Sequence, residues 1–406
     1  MERELSPESA ALNPLDRMPS QDRDRALSAI ATAFSQNHQL LLEANTLDLE
    51  AFQMRCADSG VPEEAHPVPL DWFRLTKEQI NRWIGALEAM AGLPDPLRQM
   101  AGFYSPRQCY WMPIGSLGLA YEGLSEVAAM AIGMSLKTAN RLTLRSSLDS
   151  IHTHEAIVQL CQETLQSCGF PDDTVVSESS DNNNNSSAWS SSVQLWIAYG
   201  RPEWRSRVRS SVTGVVLESA IGNCYLYWAA SGAVDCVREM LLASHRGEPD
   251  AVNAIEAVLV HPQHRESSLV RLWSDLRSKG FEIYGDAGMA REFAEVLLLP
   301  EADWSRSSFR KRIAFRRVAD VDEAIALMNT HSSGHADAIV TESYSASQQF
   351  IQQVRSTALY LNAAPRFQRC RMAEGDVVLG TTGRSGFGAI RMQSLLTPKR
   401  VIYGSC

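Results

Sequence analysis

The chain has no surplus of positive charge. Among its 406 residues, 47 Asp and Glu outweigh 38 Lys and Arg, a formal net charge of -9. Nonspecific binding to nucleic acid or to an anionic membrane therefore has no electrostatic basis. Long apolar runs are also missing: no stretch reaches membrane-spanning length, and Met1-Glu2-Arg3-Glu4-Leu5-Ser6-Pro7 is charged where a signal peptide needs an apolar core. The eight cysteines (Cys56, Cys109, Cys161, Cys168, Cys224, Cys236, Cys370 and Cys406) are scattered without a Cys-x-x-Cys pair. That excludes a small disulfide scaffold and implies reduced thiols in a cytoplasmic protein. The paired histidines His152 and His154, His261 and His264, and His331 and His335 lack a carboxylate or thiol at ligand spacing, so no metal site is expected.

What is present is a soluble α/β pattern. Hydrophobic content is 45% and charged content 21%, ordinary for a globular protein, and the length suits two or three domains. Residues 1–19 carry Pro7, Pro14 and Pro19 among polar residues and read as a loose tail. Ala26, Ile30, Ala33 and Phe34 recur at helical spacing. Thr76-Lys77-Glu78-Gln79 has the form of a capping box opening a helix that Gly92 and Pro94 end. Short apolar strands at 110–115, 117–122 and 141–145 then alternate with helices near 126–134 and 151–168, the signature of parallel strand-helix-strand units. The polar tract 177–192 (Ser177 through Asn182-Asn183-Asn184-Asn185 and beyond) cannot bury apolar surface and reads as a loop. Strands resume at 193–200, 214–217 and 225–228. A second alternating segment follows, with strands at 257–260, 313–318, 338–341 and 358–362 and helices at 234–242, 269–279, 321–329 and 344–354. The junction is expected at Ala229-Ala230-Ser231-Gly232-Ala233. This gives a first domain at 20–230, a second at 231–365 and a return segment at 366–406. Two basic clusters, Arg201, Arg205, Arg207 and Arg209, and Arg306 through Arg317, read as solvated faces.

Several blocks in order resemble the gamma-glutamyl phosphate reductases, also called glutamate-5-semialdehyde dehydrogenases. They are Leu41 to Ala51, Tyr121-Glu122, Leu136-Lys137-Thr138-Ala139-Asn140, Asp250 to His261, Ser333 to Glu342 and Leu361 to Phe367. The likeness runs from Arg23 to Gly404. It implies an aldehyde-dehydrogenase-like α/β fold: a Rossmann-type cofactor domain beside a catalytic-type α/β domain, with a small β arm for homo-oligomerisation. The arm is expected from strands at 108–120 and the run Arg400-Val401-Ile402-Tyr403. The implied reaction reduces L-glutamyl 5-phosphate with NADPH to glutamate 5-semialdehyde, on the route to proline. Glutamate 5-kinase is the implied protein partner.

The same resemblance marks what the chain lacks. Val252 stands where the family has its nucleophilic cysteine, and a branched hydrocarbon cannot attack an acyl phosphate or hold a thioester. Removing such a nucleophile costs on the order of six decades in rate, about 8 kcal/mol of barrier. Glu126 stands at the position of the asparagine that donates to the oxyanion, and an ionised carboxylate has no proton to donate. For the cofactor, Lys137, Arg145, Asp149 and Gly200 lie in the matching segments. Yet Arg145-Ser146-Ser147-Leu148-Asp149 has lost both glycines that let a backbone approach a dinucleotide, and Tyr199-Gly200-Arg201-Pro202 keeps one. Substrate contacts are implied at Asn253, Glu256, His335, Asn362 and Arg366, and Cys224 is the thiol to consider as a substitute. Three readings stay open: a reductase homologue whose catalysis is lost or diverged, a working reductase, and a non-catalytic partner in a hetero-oligomer.

Overall fold

The computed structural model describes residues 14–60, 69–104, 107–178, 189–247, 251–371, 375–384, 386 and 388–403. Residues 1–13 of the expected tail and 179–188 of the polar tract lie outside the described residues.

Helices α1 (Ser20–Gln36), α2 (His38–Ser59) and α3 (Lys77–Gly92) come first. The capping box at α3 forms as read: Thr76 Oγ accepts from Gln79 N–H, and Thr76 N–H donates to Gln79 Oε1 at 2.7 Å. Strands β1 (Met100–Tyr104), β2 (Arg107–Pro113) and β3 (Ser116–Tyr121) follow, then α4 (Glu126–Lys137), β4 (Arg141–Ser146), α5 (Ile151–Ser167), β5 (Val175–Ser177), β6 (Leu195–Tyr199), α6 (Pro202–Ser211) and β7 (Val215–Ala220). The second half runs β8 (Cys224–Trp228), α7 (Val234–Ser244), β9 (Ile255–Val260), α8 (Glu266–Ser278), β10 (Glu282–Gly285), α9 (Ala287–Glu292), β11 (Leu297–Leu298) and β12 (Arg312–Arg317). It continues α10 (Val321–His331), β13 (Asp337–Val340), α11 (Tyr344–Gln353) and β14 (Leu359–Leu361). The chain closes with β15 (Cys370–Arg371), β16 (Asp376–Thr382), β17 (Ala389–Arg391) and β18 (Leu396–Ile402).

Two large sheets result. The first has the order β15-β16-β7-β6-β3-β4-β5, with β17 on β16; its β7-β6-β3-β4-β5 portion is parallel. The second, β11-β10-β12-β9-β8-β13-β14, is parallel throughout. Strands β6, β8 and β9 are buried along their whole lengths, as parallel strands covered on both faces require. The third sheet is the arm, β1-β2-β18.

Two expected boundaries move. Residues 116–120 do not join the arm: β3 lies in the first sheet between β6 and β4, and the arm is built from 100–113 and 396–402. Gly115, at φ +119, ends the β2 excursion and lets the chain turn into the sheet. The strand at 225–228 does not precede the junction. It pairs with β9 and β13 in the second sheet, so the crossing falls at Ile221-Gly222-Asn223. The sequence reading also passed over α6, the short strands β10 and β11, and β16 and β17.

Helix α4 is buried from Val127 to Lys137, between the first sheet and α1 and α3. The Lys137 ammonium, wholly buried, donates to Asp24 of α1 at 2.6 Å and to Ala91 O at 3.3 Å. A buried ammonium is tolerated only with such partners. Asp24→Ala strands that charge and should destabilise the fold by about 3 kcal/mol or more in urea unfolding, whereas adding Lys137→Met should recover most of the loss.

Candidate functional site

The link at 221–223 sets the site. The first sheet's β7 ends there at the carboxyl edge of its parallel strands, and β8 begins at the amino edge of the second sheet. Gly222 (φ +65) and Asn223 (φ +53) are both left-handed, which fits glycine and asparagine. The turn is held by hydrogen bonds from several sides. Gly222 N–H donates to Val252 O at 2.8 Å, and Asn223 N–H donates to Glu256 Oε2 at 3.0 Å. The amide of Asn223 donates to His331 O at 2.8 Å.

Val252 sits at the centre, 0% exposed, in the turn before β9. Its carbonyl also accepts from His335 Nε2 at 2.8 Å. A carbonyl only accepts, so the ring carries its proton on Nε2, and Nδ1 accepts from Ser333 Oγ at 2.8 Å. Cys224 Sγ lies 3.3 Å from the same Nε2. It therefore faces an N–H and not a basic lone pair, so the ring cannot take its proton. Cys224 is itself fully buried. Burial and then the charges of Asp337 and Glu256 push its thiol well above the usual range, and burial lowers His335 to about 4. In this arrangement the candidate thiol has His335 N–H beside it and no base to take its proton from that side.

The other implied substrate residues divide. Asn253 joins the cluster: its amide donates to Tyr360 OH at 3.3 Å, while its buried Oδ1 has no partner. Glu256, buried, accepts from the backbone of Asn223 and from the N–H and hydroxyl of Ser308, each at 3.0 Å, so its carboxylate is a structural tie. Asn362 is not brought here. It stands beyond the carboxyl end of β14, at the opposite edge of the second sheet, and bonds Thr341 N–H and O. Arg366 is exposed in the segment between β14 and β15. The buried cation of that region is Arg369, which donates to Tyr199 OH at 2.6 Å; the sequence reading passed over it because one arginine looks like another before folding.

A cavity of 740 Å³ opens beside the Val252 turn. Gly222, Ala251, Ala254 and Glu256 line one wall, Arg74, Gln79 and Arg82 a second, and Phe309, Arg310 and Lys311 a third. Its cations, Arg74, Arg82, Arg310 and Lys311, come from both halves of the chain and stand beside the carboxylates of Asp71, Glu256 and Glu282, with Asp71 paired to Arg74. Glu126 does not line it. That carboxylate begins α4 and lies 3.7 Å from the Arg82 guanidinium, which neutralises it.

The residues implied for a cofactor are equally dispersed. Lys137 ends α4, at the amino edge of the first sheet, away from the carboxyl edge where doubly wound sheets bind ligands. Arg145 is at the carboxyl edge, under Trp189 at 4.2 Å and 3.4 Å from Glu178. Asp149 is held by Arg55 of α2 at 2.6 Å. Gly200 follows β6 with φ +147, and there Glu122 accepts from Arg201 N–H at 3.1 Å and Nε–H at 2.9 Å. The amino terminus of α5 receives Asp48, which accepts from His152 and Thr153 N–H at 2.9 and 2.8 Å. Backbone donors that a dinucleotide diphosphate would need are thus taken by the chain's own carboxylates, and the residues present do not fit that group. Of the basic clusters, Arg209 pairs with Glu218, Arg317 with Glu292 and Arg316 with Glu301, as solvated faces do.

The fold is aldehyde-dehydrogenase-like. A propionaldehyde dehydrogenase from Clostridium phytofermentans superposes with TM-score 0.67 at 12% identity, covering 96% of this chain and 94% of that one. The crystal structure of gamma-glutamyl phosphate reductase from Thermotoga maritima superposes with TM-score 0.80 at 26% identity, covering 96% and 95%. Gamma-glutamyl phosphate reductase 2 of a Synechocystis strain is 38% identical over 99% of this chain and 96% of its own length. The chain belongs to the gamma-glutamyl phosphate reductase family. A second relative, the gamma-glutamyl phosphate reductase of Geobacillus thermodenitrificans, is 27% identical over 97% of the chain. No family model matches the chain. Among the described residues no helix is long and apolar enough to cross a membrane.

Two measurements probe the cluster. Native alkylation with iodoacetamide, read by mass spectrometry, should label the exposed Cys168 and spare Cys224. His335 protonates near 6.5 when unfolded and near 4 when folded. Its neutral ring therefore contributes fully above pH 6.5, and that stability is lost as pH falls toward 4. The chain should lose about 3 kcal/mol relative to His335→Gln across that window, in urea titrations at each pH.

Proposed function

We propose that this chain is a diverged gamma-glutamyl phosphate reductase homologue that holds an acidic metabolite and does not reduce it. The observation that supports the reading is Val252 at the nucleophile position, wholly buried, with the neighbouring Cys224 sealed against a histidine N–H. The family reaction needs a thiolate to expel phosphate and form the thioester that accepts hydride. It also needs an oxyanion donor, and Glu126 is a carboxylate tied to Arg82. L-Glutamyl 5-phosphate, or glutamate itself, presents anionic groups at opposite ends. Around the cavity Arg74, Arg82, Arg310 and Lys311 outnumber the carboxylates of Asp71, Glu256 and Glu282, and a ligand of this kind would compete with Asp71 for Arg74 and with Glu126 for Arg82. A place on the route to proline follows from this ligand class, as a binding or regulatory member.

The test is NADPH oxidation with glutamyl phosphate generated in situ. No turnover above background is expected from the chain. Turnover that survives Cys224→Ala would overturn the reading and leave hydride transfer without a covalent intermediate. Recovered turnover in Val252→Cys would confine the loss to the nucleophile. For binding, saturating inorganic phosphate should raise Tm, and Arg82→Ala, a change at the cavity wall, should abolish the rise.

An oligomer is supported by the arm. Strand β18 pairs β2 on one side and leaves its other edge open, with Ile402 and Tyr403 67% and 61% exposed. Such an edge suits pairing with a second copy or with a partner such as glutamate 5-kinase.

A further inference from the structure

The order of the first sheet fixes where it should open. From β3 the chain proceeds to β4 and β5 on one side, and from β6 to β7 on the other, so strand order reverses between β3 and β6. Doubly wound sheets bind their ligands in the crevice beyond the carboxyl ends of the strands at such a reversal. In this chain the crevice is bounded by Glu122, just after β3, and by Gly200-Arg201, just after β6.

These residues are joined to each other. Glu122 N–H donates to Tyr199 O at 3.0 Å. The Glu122 carboxylate then takes three donors from one residue: Arg201 N–H at 3.1 Å, Nε–H at 2.9 Å and Nη2–H at 2.5 Å. The carboxylate side chain is 4% exposed. Its backbone is pinned as well, since Trp72 Nε1–H donates to Glu122 O at 2.8 Å. Gly200 stands at the crevice as the glycine after β6, and its open face is covered. A methyl placed there would fall 2.8 Å from Glu122 Cβ and 2.9 Å from Trp204 Cδ1. Helix α6 starts immediately afterwards at Pro202, so the carboxylate also meets the positive end of its dipole.

A dinucleotide diphosphate asks for a bare glycine turn, a free backbone N–H and no competing negative charge. Each requirement fails here: Gly200 is covered, Arg201 N–H is taken, and Glu122 supplies the competing charge. We infer that the Glu122–Arg201 pair is an internal substitute for the diphosphate that closes the switch-point crevice to dinucleotides, with Arg201 as the residue that locks it. The reading is independent of Val252: it concerns binding, and its test involves no turnover.

The test is equilibrium binding of NADPH to the purified full chain, followed by calorimetry and by nicotinamide fluorescence. The unaltered chain should show no saturable binding up to millimolar NADPH. Glu122→Gln, which keeps the shape, removes the repelling charge and weakens the fork, should bring saturable binding at least tenfold tighter than any residual binding of the parent. Arg201→Gly, which opens the fork but leaves the carboxylate unpaired, should give a smaller gain. Circular dichroism and a thermal melt establish that each variant is folded. Micromolar NADPH binding by the unaltered chain overturns the inference. So does a folded Arg201→Gly and a folded Glu122→Gln that both remain blank.

Discussion

The molecule depends on how three residues, Ile221 to Asn223, are held between two sheets. They carry the chain from the carboxyl edge of one parallel sheet to the amino edge of another in one turn. Glu256, buried, fixes this turn to Ser308, while Ser307, Val252 and Ser333 fix it from the other sides. An interior carboxylate is costly unless its lone pairs are satisfied, and here the backbone satisfies them. Removing that tie would release the crossing that brings the edges of the two sheets together.

That tie explains how a valine is accommodated. The Val252 turn is positioned by its backbone carbonyl, which receives Gly222 and His335, and not by its side chain. The side chain can then be exchanged for a hydrocarbon without disturbing the turn, since a small apolar group packs well in a dry pocket. The second place where family chemistry would occur, the carboxyl edge of the first sheet, is also filled from within, by Glu122, Arg201, Arg145 and Asp149 in ion pairs. Divergence of reactive residues and retention of architectural ones are thus parts of one pattern. The fold rests on backbone hydrogen bonds and buried apolar strands, while the chemistry of such a site depends on a few exchangeable side chains.

Much of the architecture was legible before folding. The capping box at Thr76, the apolar runs of β6, β8 and β9 and the alternation of strand and helix come from local chemistry, because capping and burial on both faces leave marks in consecutive residues. The candidate site was legible in part. Val252, Asn253, Glu256 and His335 do converge, whereas Asn362 bonds Thr341 at the far edge and Lys137 points into the helical layer. A lysine on a predicted helix reads as surface charge. Its burial follows only from Asp24, more than a hundred residues earlier, lying against it.

The sequence alone determined the α/β class, the order of the units, the likeness to a reductase family and the presence of valine where a thiol is expected, since each is a property of residue type and spacing. The tertiary structure alone decided that β8 belongs to the second sheet, that Cys224 faces an N–H, and that Glu122 and Arg201 meet across the first sheet's reversal. The physical reason is the same in each case. Strand partners, tautomers and ion pairs are set by which distant groups are driven together when the apolar strands are buried, and no local run of residues records that choice.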